Sequence, residues 1–83
     1  MFRISISPKA KSQLKNIRKL HQNALKIVID DLRENPYIGK PLGRELTGKY
    51  SYRVGIFRII YKINKQDKIV QILIAGHRSA VYN

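Results

Sequence analysis

Arg53 and Arg58 are the residues of this chain best spaced to do chemistry. If Gly55-Ile56 is a two-residue turn with glycine first, as a type II′ turn requires, the run Tyr50 to Ile63 folds into a β-hairpin. Its opposed pairs are then Val54/Phe57, Arg53/Arg58, Tyr52/Ile59, Ser51/Ile60 and Tyr50/Tyr61. One hairpin face becomes apolar or aromatic, and the other holds two guanidiniums side by side. Like charges directly opposite each other lose ~0.2–1 kcal/mol, and an anion lying across them reverses the sign. A phosphate accepts planar, forked donors from more than one arginine. Arg78 and Tyr82 follow the last apolar run and can fold back over that face, with His77 as a further member of the set. Such groups suit phosphoryl transfer within RNA. There the 2′-hydroxyl attacks, guanidiniums stabilise the charge growing on the phosphate, and another group accepts and returns a proton. Tyrosine is a poor base at its reference pKa of ~10, although neighbouring cations lower that value. Positioning and charge would carry the reaction, so free RNA should be cleaved slowly unless a machine presents it in reactive geometry. The plainer alternatives are two exposed strand arginines, a tyrosine packed on the sheet and a structural histidine.

Other chemistries find little support. The five carboxylates are few, and Asp30, Asp31 and Glu34 crowd one helical turn. Neither His21 nor His77 has a partner at metal-ligand spacing, so no metal and no cofactor is expected. No glycine-rich phosphate loop precedes a helix, and no serine has a spaced histidine and acid. Seventeen basic residues against five acidic ones give a net charge of +12 on 83 residues, far beyond what solubility asks. Such a field attracts a polyanion, with nucleic acid or a nucleic-acid machine ahead of an anionic membrane surface. Lys9, Lys11 and Lys15 form a basic helix face, and Arg44 and Lys49 complete the expected RNA-binding set. With no run of about 18 apolar residues and no signal-like segment, the expected location is the cytoplasm. The absence of cysteine agrees with that compartment and excludes disulfides and thiolate zinc sites.

The elements that must position these groups read as one small domain over residues 1–83. Phe2 to Ser7 alternates as a strand with one wet face. Ser7-Pro8 starts a helix, the serine as cap and the proline at the first helical position. Ala10, Leu14 and Ile17 form its buried stripe, and it is expected to stop near Lys19 to His21. A second helix is predicted from about Gln22 to Asn35, with Leu25, Val28, Ile29 and Leu32 inward; Asn35-Pro36 ends it. The short link makes the two an antiparallel hairpin. Pro36 to Gly48 reads as a long loop, functional or simply connecting. The hairpin Tyr50 to Ile63, a polar turn Asn64 to Lys68 and an apolar strand Ile69 to His77 follow, the last suggesting a central or doubly covered strand. The expectation is an α+β fold in the order β-α-α-β-β-β, an antiparallel sheet with the helical hairpin packed on one face. Tyr50, Tyr52, Phe57 and Tyr61 share a parity that makes them core rather than a base-stacking platform.

Two segments together resemble the RelE/ParE toxin superfamily of prokaryotic toxin–antitoxin modules. They are the hairpin Tyr52-Arg53-Val54-Gly55-Ile56-Phe57-Arg58-Ile59-Ile60-Tyr61 and the terminal Ile74-Ala75-Gly76-His77-Arg78-Ser79-Ala80-Val81-Tyr82. The resemblance implies a microbial-ribonuclease-like RelE fold. In the RelE branch it implies metal-independent cleavage of messenger RNA in the ribosomal A site, which inhibits translation. Arg58 resembles the family's phosphate-binding arginine, Arg78 the arginine after the last strand and Tyr82 the C-terminal tyrosine. The family also implies a RelB-like antitoxin that wraps the basic toxin in a hetero-oligomer. One departure is visible. RelE enzymes carry two basic residues two positions apart on the strand of Arg53, whereas Ser51 and Gly55 flank Arg53 at that spacing, with Lys49 or His77 as replacements. The rival functions are a ParE-like inhibitor of DNA gyrase, acting by binding, and a non-catalytic basic nucleic-acid-binding module.

Overall fold

The structure is a computed structural model and describes residues 1–77. Its elements are β1 (Arg3–Ile6), α1 (Pro8–Lys15), α2 (Lys19–Glu34), β2 (Lys40–Pro41), β3 (Lys49–Val54), β4 (Phe57–Asn64) and β5 (Ile69–His77), with short 3-10 turns at Pro36–Ile38 and Arg44–Leu46. The strands form one sheet in the order β1-β5-β4-β3-β2.

The sheet is mixed where an antiparallel one was expected. β1 lies parallel to β5, pairing Arg3 with Ile69 through Ile6 with Ile72, while the other neighbours are antiparallel. Alternation along a short strand reports which face is buried and is identical for either direction, so residues Phe2 to Ser7 carried no directional signal.

The first helix ends earlier than its apolar spacing suggests. Ser7 Oγ accepts from the Ala10 amide at 3.0 Å and Pro8 occupies the first turn, so the start agrees with expectation. The helix stops at Lys15, where the Asn16 amide bonds back to Gln13 O and the Ile17 amide to Leu14 O. Gln22 Nε2 then donates to Leu14 O at 2.7 Å and to Ile17 O at 2.9 Å, satisfying carbonyls that a helix end would otherwise leave open. The stripe Ala10, Leu14, Ile17 runs straight across this break, which is why the pattern reads as one longer helix, and why α2 begins at Lys19 rather than Gln22.

A β-bulge in β5 organises the core. Ile60 pairs with Ile74 but Tyr61 with Ile72, so Leu73 is an extra residue. The insertion shifts the alternation by one, so Val70, Ile72 and Ala75 are all fully buried on the helix side. The backbone groups it releases go to the first helix: Leu73 O accepts from Ser7 Oγ at 2.8 Å, and the Ala75 amide donates to Gln13 Oε1 at 3.0 Å. The apolar run that read as a central or doubly covered strand is an interior strand, between β1 and β4, whose helix-side alternation changes phase at the bulge. Ala10, Leu25, Ile29 and Leu32 from the helices pack on Ile59, Tyr61, Val70, Ile72 and Ala75.

The stretch from Pro36 to Gly48 is not a free loop. Lys40 and Pro41 add a two-residue edge strand opposite Ser51 and Tyr50, and a proline is tolerated there because an edge leaves amides unused. Tyr61 Oη holds the segment from within, donating to Pro36 O at 2.6 Å and accepting from the Gly39 amide at 3.0 Å.

Candidate nucleic-acid interface

The hairpin register is the one its sequence implies. Val54 opposes Phe57, Arg53 opposes Arg58, Tyr52 opposes Ile59, Ser51 opposes Ile60, Tyr50 opposes Tyr61, and Lys49 opposes Lys62. Gly55 has φ of 59° and Ile56 is not in the positive region, the pattern of a type II′ turn. Directly opposed residues have Cα atoms roughly 4.5–5.5 Å apart, so the Arg53 and Arg58 side chains start as near neighbours on the face away from the helices. Arg53 is exposed; Arg58 is half-buried, with its Nε shielded from solvent. Below them lie Ser51 and Ile60, only 8% and 4% exposed. Ile38, Lys40, Leu42, Ser51, Arg53 and Arg58 line a cleft of about 560 Å³ here. Lys49 and Lys62 share this face four pairs farther from the turn than Arg53 and Arg58.

The arrangement is suited to a phosphodiester. A half-buried guanidinium stays protonated under any ordinary condition, and a charge-assisted hydrogen bond gains strength where water is partly excluded. Two arginines from adjacent strands can meet both the phosphate and the extra negative charge of a pentavalent transition state. Among the described residues no group of three His, Cys, Asp or Glu side chains converges. Burial pushes the Tyr61 phenol up to about 12, against the opposing hydrogen bond from Gly39 and with small additions from Tyr50 and Tyr52. It stacks on Tyr50 at 5.6 Å on the helix side and keeps its proton, so it holds the fold rather than moving protons.

The other expected site residues divide by location. His77 opposes Phe57 in the sheet, with ring centroids 6.2 Å apart, and Phe57 in turn lies 4.8 Å from His21. That places His77 on the helix-side rim with Arg18 and His21, away from the Arg53 and Arg58 face. Lys9, Lys11 and Lys15 are exposed on α1, in the layer covering the opposite side of the sheet. One phosphate cannot meet both them and the arginines. Arg44 is exposed in the turn between β2 and β3, with φ of 55°. Arg78 and Tyr82 lie outside the described residues. Sequence reasoning missed Lys40 and Lys62 on the arginine face. Lys62 was legible by extending the hairpin register to Lys49, whereas nothing in Gly39-Lys40-Pro41 announced an edge strand.

Residues 4–82 match the family model of the ParE toxin of the type II toxin–antitoxin system parDE. The chain belongs to the RelE/ParE toxin family. Toxin RelG of Mycobacterium tuberculosis is 37% identical to it over 73 residues, covering 82% of this chain and 84% of that protein. Among solved structures, this RelE/ParE toxin is similar to a chain of the toxin–antitoxin complex RelBE2 from Mycobacterium tuberculosis, with a TM-score of 0.85 and 32% identity over 93% of this chain and 98% of that one. The isolated E. coli RelE toxin superposes with a TM-score of 0.82 at 19% identity over 99% of this chain and 92% of that one, which shows the common fold. The helix pair on a five-stranded mixed sheet is thus the fold of RelE-type toxins.

Proposed function

We propose that this toxin is a ribosome-dependent endoribonuclease that cleaves messenger RNA in the ribosomal A site without a metal ion and so inhibits translation. The observation that carries the reading is the cleft in which Arg53 and Arg58 oppose each other, since two guanidiniums on adjacent strands at one cleft offer forked donors to a phosphate. The names of its relatives, toxins RelG and RelE of Mycobacterium tuberculosis, support it. Arg53 and Arg58 would bind the scissile phosphate and stabilise the charge that grows on it, with Arg78 and Tyr82 as further members of the catalytic set; His77, on the helix-side rim, would lie outside it. Lys49 would extend the phosphate track, with Arg44, Lys9, Lys11 and Lys15 meeting RNA beyond the cleft. The working compartment is the cytoplasm, where ribosomes and messenger RNA are found.

The inhibitor is a RelB-like antitoxin, as RelBE complexes among the similar structures suggest. An acidic segment would associate rapidly with a protein of net charge +12.

The test is primer extension on a defined message, with purified toxin added to stalled ribosomes and, separately, to naked RNA. New 5′ ends at the A-site codon only with ribosomes are the expected result. The matching family model bears the ParE name, which keeps inhibition of DNA gyrase as the second reading. No new ends in either tube, together with blocked supercoiling by purified gyrase, would replace the first reading with the second. A basic nucleic-acid-binding module would do neither and would only bind.

A further inference from the structure

We infer that Lys40 is a phosphate-contacting residue of the arginine cleft, presented to the RNA from the edge strand. The inference rests on the ribonuclease reading and adds a contact to it. Three observations place it there. Lys40 pairs with Ser51 across the sheet, which puts it on the face of Arg53 and Arg58, and it lines the same cleft. It is diagonal to Arg53 across two neighbouring strands, a separation of roughly 7–8 Å that long side chains span. Between them stands Ser51, too small to fill the space.

The third observation concerns how Lys40 is held. The residue before it, Gly39, donates its amide to the buried Tyr61 hydroxyl, and a Cβ on Gly39 would overlap that hydroxyl and sit 3.1 Å from Ser51 O. The backbone entering Lys40 is therefore anchored to the core rather than to neighbouring loop residues. An exposed lysine on an edge strand also guards a sheet against pairing with other chains, but that role needs neither the cleft nor the anchor. A cation one strand beyond Arg53 on the same face lets a phosphate be held by a third strand, and the extra charge of the transition state is met from there as well.

The experiment compares wild type, Lys40→Ala, Lys40→Arg and, as a charge control on the exposed face of α2, Lys26→Ala. Two readouts are taken: single-turnover cleavage of ribosome-bound message, and salt-dependent binding of a short labelled single-stranded RNA by the monomer isolated on size exclusion. Lys40→Ala is expected to slow cleavage about 10- to 100-fold and to reduce the salt slope by about 0.7, the value for one phosphate contact on a single strand. Lys40→Arg should recover most of the rate, and Lys26→Ala should stay within about twofold of wild type. Lys40→Ala cleaving within about twofold of wild type with an unchanged slope would overturn the inference. So would a loss of rate that arginine does not rescue at an unchanged slope, since that pattern belongs to a structural lysine. If wild type cleaves nothing but Lys40→Ala still lowers the slope, the ribonuclease reading fails while the contact stands. If the slope is also unmoved, both fail.

Discussion

Arg53 and Arg58 oppose each other at a cost, and that cost separates stability from function at single residues. Arg53→Gln removes the like-charge pair and should raise folding stability by up to ~1 kcal/mol in urea unfolding, while slowing cleavage. Arg58→Ala should slow cleavage by about 100-fold or more, the scale of losing one preorganised transition-state contact, in the primer-extension assay and with antitoxin binding retained. If Arg53→Gln lowered stability instead, the two guanidiniums would be cooperating in the fold, and the argument for a phosphate between them would lose its ground. The hairpin register was fully legible, because Gly55 supplies the positive φ that a two-residue turn needs and because every aromatic has the same parity. His77 was not, since its face is decided by a bulge four residues earlier.

At the scale of elements, the Tyr61 anchor controls where β2 sits. Tyr61→Phe removes a donor to Pro36 O and an acceptor for the Gly39 amide, both inside the core, and should cost about 1–3 kcal/mol. The same substitution changes the alkaline limb of stability. Burial raises the Tyr61 phenol from 10.0 to about 12, so above pH 10 the unfolded chain releases this proton while the native state retains it. The stabilisation is complete below pH 10 and declines by at most ~1.4 kcal/mol per pH unit as pH rises toward about 12. Urea midpoints at pH 9, 10 and 11 should therefore fall more steeply for wild type than for Tyr61→Phe. Gly39→Ala places a methyl against the Tyr61 ring and should displace β2, lowering the melting temperature and slowing cleavage together. None of this anchor was readable beforehand. Tyr61 announced itself as core by parity, but a hydroxyl reaching a loop more than twenty residues away leaves no local pattern. The exact position of the expected break between α1 and α2 escaped for a related reason, since the Gln22 side chain, not a proline or glycine, ends the first helix.

For the whole molecule, the charge is split between two faces of a two-layer fold. The arginine cleft with Lys49 and Lys62 lies on the side of the sheet away from the helices, and Lys9, Lys11 and Lys15 lie on the helix layer. RNA affinity should fall with salt on both accounts, but neutralising Lys9, Lys11 and Lys15 together should weaken binding with little change in single-turnover rate at saturation. Arg58→Ala should do the reverse. Rate loss in the triple variant at saturating ribosomes would place the helix layer in the reaction itself. Net charge alone pointed to a polyanion, and only the sheet's topology divides the cations between the arginine face and the helix layer.

The parallel pairing of β1 with β5 also sets an order in time. Ser7 and Leu73, 66 positions apart, are joined by a hydrogen bond in the finished fold. Nothing made earlier can take the place of β5 beside β1, and closing so long a chain segment is a late event. During synthesis the first strand therefore waits for its sheet neighbour until β5 has left the ribosome. The complete sheet, and any activity that needs it, therefore forms only once β5 has emerged, and an antitoxin made alongside has that interval in which to reach the chain.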